Sequence, residues 1–191
     1  RAAAPPGVER KASRTGPLFA LSTPGRPVWT PRDYASLARE GYARNPIVFR
    51  CVRMISEAAA SVPLVVFEGE EEVAGHPVEA LLRSPNPGQS GIALFETLYG
   101  HLLVAGNAYL EAVALDGRVR EIHALRPDRM RVVPGLDGWP EAYEYAIGAR
   151  TVRFRQDEGP VPPILHVAMF HPLNDHYGFA PLEAAQASLD I

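Results

Sequence analysis

The sequence SGIALFETLYGHLLVAGNAYLEAVAL, residues 90–115, decides the fold. Its first half places apolar residues three and four positions apart, which is the period of one buried helical face. Ser90 is suited to cap the start of this helix, and Gly106 to end it with a positive φ, because glycine readily adopts the left-handed conformation. The predicted buried face consists of Ile92, Phe95, Leu98, Tyr99, Leu102 and Leu103.

After Gly106 the spacing of apolar residues changes from the helical period of about 3.6 residues to a period of two residues. Side chains then alternate from Asn107 onward, which is typical of a strand. Asp116 and Gly117 follow as a strong two-residue hairpin turn, and residues 118–125 form the predicted returning strand. We therefore predict that the helix is followed directly by a β-hairpin.

Shorter elements surround this unit. We predict a helix that starts at Thr30-Pro31 and stops at Gly41, a helix from Asn45-Pro46 to Pro63, and a strand over residues 64–67. The buried stripe predicted for the second helix consists of Ile47, Cys51, Ile55, Ala58 and Val62. A brief helix is predicted from His76-Pro77 through Leu82, closed by the rigid loop 84–88.

The second half of the chain is rich in short strands. They are predicted at residues 130–133, 142–147, 151–155 and 164–169, and they are antiparallel because the gaps between them are too short for parallel crossovers. A last helix begins at about Pro181, with Leu182, Ala185 and Leu189 on one face. It is uncapped at the end of the sequence, so we expect the chain to be a fragment of something longer. The predicted fold class is α+β, with several helices packed on short antiparallel strands and hairpins.

Composition divides the chain into two parts. Of its 191 residues, 47% are hydrophobic, but the apolar runs are far shorter than the roughly 18 residues of a membrane span, so none is predicted. Residues 1–32 contain six basic residues and one acidic residue, a formal charge of +5. Because the formal net charge of the whole chain is −3, the remaining residues carry −8. The single cysteine cannot form an internal disulfide.

Residues 1–29 are predicted to form a basic flexible arm, and residues 30–191 a folded domain. The arm has no apolar period and is rich in Pro, Gly, Ala, Ser and Arg, so burial cannot offset the entropy of ordering it. Arg10, Lys11 and Arg14 are its candidate contacts to nucleic acid phosphates or to a neighbouring subunit. A solvated tail without a partner is the alternative.

Motifs for catalysis are missing from the sequence. It contains neither a phosphate-binding glycine loop nor a nucleophile elbow, and Cys51 is expected to be a small buried hydrophobe on its helix. His166, His171 and His176, with Asp175, could form a metal site, but a spacing of five residues aligns them on neither a helix nor a strand. His101 and His123 are expected to be structural. The sequence therefore predicts no catalytic residue, cofactor or metal.

Arginines occur in pairs spaced by two residues, which places both members of a pair on one face of a strand. The pairs are Arg118 with Arg120, Arg129 with Arg131, and Arg153 with Arg155. They could present a positive surface to DNA. Salt bridges between subunits and a solvated face are the alternatives, because the chain also carries Glu111, Glu121, Glu141 and Glu144 nearby.

Five segments, taken in order, resemble the N-terminal half of phage portal proteins, in the branch of long-tailed phages and gene transfer agents. They are NPIVFRCVRMISEAAASVPLVVF, HPVEALLRSPNPGQS, HLLVAGNAYLEAV, GRVREIHALRPDRMRVV and HVAMFHPLNDHYGFAPLEAAQ. The resemblance covers residues 45–191 and leaves the basic arm outside. No single segment is diagnostic, but five segments in the same order are hard to obtain by chance.

The resemblance implies a ring, usually a dodecamer, at one capsid vertex of a virion or virus-like particle assembled in the bacterial cytoplasm. Double-stranded DNA enters and leaves through it. The implied partners are further copies of the chain, the major capsid protein, the large terminase subunit and a tail adaptor or connector. Residues 30–191 would form the wing, with stem and clip after Ile191. The alternatives are another head–tail connector or capsid-associated protein, and a small metal-dependent hydrolase using His166, His171 and His176.

Overall fold

Helices occupy both ends and the middle of the described chain. The computed structural model describes residues 34–189. The helices are α1 (Tyr34–Ser36), continued by a π-helical segment (Leu37–Tyr42), then α2 (Pro46–Ala60), α3 (Pro77–Arg83), α4 (Gly91–Ala105) and α5 (Pro181–Leu189). Residues 1–29 and the predicted helix start at Thr30-Pro31 lie outside the described residues, and the first helical segment continues through Gly41 to Tyr42.

Short antiparallel strands make up the rest, as predicted. They are β1 (Phe67–Glu68), β2 (Glu71–Glu72), β3 (Asn107–Leu115), β4 (Arg118–Leu125), β5 (Met130–Pro134), β6 (Pro140–Ile147), β7 (Arg150–Arg155) and β8 (Ile164–Ala168). β1 and β2 form a hairpin, while the larger sheets have the orders β4-β3-β8 and β5-β6-β7. The predicted strand at residues 64–67 is wrong in extent, because only Phe67 of that stretch belongs to a strand.

The α4–β3 unit forms as its sequence predicts. The Ser90 Oγ accepts a hydrogen bond from the N–H of Ala93 at 3.3 Å, and Gly106 ends the helix at φ 68°. Asp116 and Gly117 both have positive φ, 53° and 71°, which is the geometry of a type I′ hairpin turn. The local signals of caps and turns therefore set the boundaries of this unit.

The buried face of α4 differs from the prediction. Leu94 is fully buried and Val104 is buried, although neither belongs to the predicted face, whereas Ile92 is 57% exposed. Leu98 is buried as predicted. The helix is apolar on nearly every side, so periodicity alone does not select the side that the protein covers.

The predicted buried stripe of α2 is wrong. Val48, Val52, Ser56 and Ala60 are the residues that face the core. The predicted residues Ile47, Cys51, Ile55, Ala58 and Val62 are exposed instead. Cys51 is thus a surface thiol and not a buried hydrophobe. The helix carries apolar residues on two sides, and the protein covers only one of them.

Two hydrophobic cores hold the elements together. One lies between the two three-stranded sheets and is formed by Tyr109, Met130, Val132, Tyr143, Ile164 and Tyr177. The other joins the π-helical segment, α2, α4 and α5 and is formed by Leu37, Val48, Val52, Val104, Ala180 and Leu182. Within the first core the Tyr177 hydroxyl accepts a hydrogen bond from the N–H of Val132 at 3.1 Å.

Candidate functional site

Asn107 joins the helical core to the sheet core. It is 2% exposed at the first position of β3. Its Oδ1 accepts a hydrogen bond from the N–H of Gly178 at 2.8 Å, and its Nδ2 donates to the carbonyl of Ala105 at 2.8 Å. Because a backbone N–H can only donate, the contact with Gly178 fixes the orientation of the amide. Asn107 therefore links the end of α4 to the loop before α5.

The backbones at Gly106 and Gly178 approach each other too closely for any side chain. A Cβ on Gly178 would lie 2.0 Å from the carbonyl oxygen of Gly106, and one on Gly106 would lie 2.6 Å from the carbonyl oxygen of Gly178. The Gly106 carbonyl also accepts from the N–H of Met169 at 2.8 Å. We call Gly106, Asn107 and Gly178 the backbone junction.

His166 is the histidine that contacts this junction. Its Nε2 lies 3.0 Å from the Oδ1 of Asn107 and donates to it, since that oxygen accepts. The ring stacks on Tyr109 with centroids 4.2 Å apart and meets the edge of Tyr143. Burial, and secondarily the nearby His176, lowers the pKa of His166 to about 4, so the ring is neutral at pH 7.

Two partly buried histidines, His101 and His166, predict acid sensitivity. Burial also lowers the pKa of His101 to about 4 from an ordinary 6.5. Between these pH values the unfolded chain binds protons that the folded chain does not. Stability is therefore present above pH 6.5 and lost as the pH falls toward 4, by up to about 1.4 kcal/mol per pH unit for each such histidine. Urea unfolding at pH 7, 5.5 and 4.5 measures this slope.

The variant His166→Gln tests the contribution of one ring. Because glutamine does not titrate, we expect the variant to lose less stability than the unsubstituted protein over the same pH interval. His123→Gln is the matched control, since His123 is a partly exposed histidine whose Nε2 contacts the Oε2 of Glu121. Equal slopes for His166→Gln and the unsubstituted protein would contradict a neutral His166 with a lowered pKa.

The three histidines proposed as an alternative metal site are not assembled into one. His166 uses its Nε2 on Asn107, and the Nδ1 of His171 accepts from the N–H of Leu173 at 3.0 Å. His176 is buried, while His171 packs against the edge of Phe179. Within residues 34–189, no three metal-ligating side chains come together. Of these three histidines, His166 is the one with a hydrogen bond to the backbone junction.

The arginine pairs are separated by the fold into different environments. Arg153 pairs with Glu141 at 3.0 Å and with Glu144 at 3.6 Å. Arg155 contacts Asp157 through two hydrogen bonds of 3.1 and 2.9 Å, which lower the pKa of that carboxyl. Each positive charge therefore has carboxylates beside it, which weakens its attraction for phosphates.

The other two pairs differ from this one. Arg129 lies in a 3₁₀ turn (Pro127–Arg129) before β5, so Arg129 and Arg131 do not share a strand. Arg118 and Arg120 do share β4 and are exposed. Neither forms an ion pair with another residue of the range 34–189. Arg10, Lys11 and Arg14 lie outside the described residues.

Sequence reasoning missed the junction and the outward side of α2. The change of apolar period at Gly106 and Asn107 could have drawn attention to the junction. Its contacts could not be predicted, because Asn107 is separated from Gly178 and His166 by 71 and 59 residues.

The outward side of α2 exposes Ile47 at 70%, Met54 at 51% and Ile55 at 49%. A contiguous apolar surface of this kind is typical of a protein interface.

The family model described as "Phage portal protein" matches residues 46–191. An uncharacterized protein of Rickettsia bellii (strain RML369-C) is 35% identical over 156 residues, which is 80% of this chain and 40% of that protein. An uncharacterized protein of Rickettsia felis (strain ATCC VR-1525 / URRWXCal2) is 33% identical over 155 residues, with the same coverage.

Solved structures of gene transfer agent (GTA) particles are also similar. A chain from the neck of an empty GTA particle, computed with C6 symmetry, is 51% identical with a TM-score of 0.86, over 90% of this chain and 46% of that chain. A chain from the neck of a native GTA particle, computed with C12 symmetry, is 49% identical with a TM-score of 0.80, over 90% and 45%. The chain thus spans less than half the length of these relatives.

Proposed function

This chain belongs to the phage portal protein family, and we propose on that premise that it forms the wing of a structural portal subunit in the neck of a phage-like particle. One observation carries the proposal: the similarity, over 90% of this chain, to chains in the necks of gene transfer agent particles. Among residues 34–189, no helix is long and apolar enough to cross a membrane.

In this function the subunits form a closed ring around a channel for double-stranded DNA. Twelve copies are proposed, in keeping with the C12 symmetry used for one solved neck. A ring made by one repeated contact needs subunits of fixed shape. Two cores tied together at the backbone junction support such a shape, since helices and sheets cannot shift separately without breaking the contacts of Asn107.

The charge of the subunit suits a conduit. The whole chain has a formal charge of −3 and residues 1–32 have +5, so residues 33–191 carry −8. A strongly basic body would hold DNA through its phosphates, whereas an acidic one lets it pass. Phosphate contacts are assigned instead to Arg10, Lys11 and Arg14 of the arm. Arg153 and Arg155, with carboxylates beside them, are weaker candidates.

The partners follow from a place at the vertex between head and tail. The major capsid protein would surround the ring, the large terminase subunit would drive DNA in, and a tail adaptor would bind after packaging. We assign the chain a structural and not a catalytic role, because the family whose model it matches is that of portal proteins. Neither the hydrolase nor another connector is favoured by a specific observation.

Mass photometry and negative-stain imaging of the complete gene product test this function. Particles with the mass of a single ring of about a dozen copies and a visible central pore are expected, in line with closed cyclic assembly. The mass distribution over a range of concentrations serves as the control for nonspecific association. A protein that stays monomeric at every concentration would contradict the proposal.

A further inference from the structure

An apolar groove of about 650 Å³ lies between α3 and the β4-β3-β8 sheet. Its walls include Val78 of α3 and Leu165 of β8, which are 42% and 58% exposed, so the described chain leaves them uncovered. Arg118 and Arg120 line the same groove. We call this surface, defined by Val78, Leu165, Arg118 and Arg120, the basic groove.

A second surface has the opposite charge and similar apolar content. The β1–β2 hairpin exposes the four glutamates Glu68, Glu70, Glu71 and Glu72. Beside them Leu64, Val65 and Phe67 are 54%, 52% and 57% exposed. None of the four carboxylates forms an ion pair with another residue of the described chain. We call these seven residues the acidic ridge.

The ridge and the groove lie on different sides of α3. The pocket beside the ridge is lined by Leu64, Val65 and Glu72 together with Glu79 and Leu82 of α3. The groove is lined instead by Val78 and Leu81 of that helix. Successive helical residues point about 100° apart, so the pair Glu79 and Leu82 and the pair Val78 and Leu81 are centred about 100° apart around the helix. The ridge leaves Val78 and Leu165 of the same subunit exposed, so the groove is open to a second copy.

A head-to-tail contact requires two different and complementary surfaces on one subunit. Such a contact gives a closed ring when the rotation from each subunit to the next divides a full turn evenly. We propose that the acidic ridge of one subunit docks into the basic groove of the next copy. Glu70, Glu71 and Glu72 then face Arg118 and Arg120, while the apolar residues of the ridge cover Val78 and Leu165. The inference rests on the ring of the proposed function and names its contact.

Charge reversal in the complete gene product tests the contact. The double variant Arg118→Glu/Arg120→Glu and the double variant Glu70→Lys/Glu71→Lys each place like charges across the interface, which destabilises it. We expect at least a tenfold rise in the concentration at which half the protein is assembled, measured by mass photometry. The quadruple variant carries opposite charges across the interface again, and we expect it to form rings.

The matched control is Arg39→Glu/Arg150→Glu, which reverses two exposed arginines outside both surfaces and should leave assembly unchanged. Circular dichroism confirms that each variant is folded. Rings from both interface double variants, or no rings from the quadruple variant, would overturn this contact while leaving the portal assignment intact. A monomeric unsubstituted protein would contradict the ring itself, and the contact with it.

Disulfide trapping gives a second readout that does not depend on charge. In a Cys51→Ser background, Glu71→Cys and Arg120→Cys on the same chain should produce a ladder of covalent oligomers on oxidation, because each subunit then carries both halves of the contact. Either cysteine alone should give no ladder. Absence of the ladder in protein that forms rings would place the ridge or the groove outside the interface.

Discussion

Gly106→Ala is expected to lower the free energy of unfolding by about 2–5 kcal/mol, a large share of the roughly 5–15 kcal/mol of a whole domain. Two effects add. The residue has φ +68°, and this left-handed conformation costs a non-glycine residue about 1–2 kcal/mol. The new Cβ would also lie 2.6 Å from the carbonyl oxygen of Gly178, and such overpacking costs about 1–3 kcal/mol. Urea unfolding followed by circular dichroism measures the sum.

Two other glycines separate these effects. Gly148 has a similar φ of +59° but open space around its Cα, so Gly148→Ala should cost only about 1–2 kcal/mol. Gly178 has no positive φ, but a Cβ on it would lie 2.0 Å from the carbonyl oxygen of Gly106, so Gly178→Ala measures overpacking alone. If Gly106→Ala were no more costly than Gly148→Ala, the close approach of the two backbones would be wrong.

Asn107→Ala is expected to cost about 2–4 kcal/mol. The substitution leaves the N–H of Gly178 and the carbonyl of Ala105 without their partner, and each unsatisfied buried group costs about 1–3 kcal/mol. The Nε2 of His166 loses its acceptor as well. The free energy of unfolding of the purified variant is the measurement.

A double-mutant cycle with His166→Gln provides the control. Because the two side chains share a hydrogen bond, the costs of Asn107→Ala and His166→Gln should not add, and the coupling energy should exceed about 0.5 kcal/mol. The pair Asn107→Ala and Arg150→Glu, at distant sites, should be additive. A cost below about 1 kcal/mol for Asn107→Ala, the low end for one unsatisfied buried group, would show that Asn107 is not the link between the two cores.

Local chemistry made much of the fold predictable. The cap at Ser90, the stop at Gly106 and the turn at Asp116-Gly117 act over a few residues, so the sequence reveals them directly. The same is true of Asn45, whose Oδ1 accepts from the N–H groups of Ile47 and Val48 at the start of α2. Boundaries set by caps and turns were therefore close to those of the structure.

The choice of a buried helical face was not predictable in the same way. The spacing of apolar residues along a helix identifies an apolar side but not what covers it, and α2 has apolar residues on both sides. Its core contacts are made by the small residues Val48, Val52 and Ala60, whereas the larger Ile47 and Ile55 face outward. For a subunit that assembles, the most hydrophobic side can belong to an interface.

The candidate site depended on contacts between distant residues. The sequence offered His166 only as part of an alternative metal site, whereas in the structure its partner is the amide of Asn107, and the pairing of β3 with β8 that brings them together is visible only in three dimensions. Of the arginines, spacing placed Arg118 and Arg120 on one strand, where the register shifts at Arg120, but it could not show that Arg153 has glutamates beside it. The pairing of strands therefore decides which arginines have carboxylates beside them and which remain free to contact a partner.

Cryo-electron microscopy of intact particles from producing cells, reconstructed without imposed symmetry, tests the placement of this protein most directly. We expect density that fits α2, α4 and the two sheets to repeat around a channel in the neck, at a single vertex of each head. Particles whose neck contains no such density, or in which it occurs at every vertex, would contradict a portal subunit.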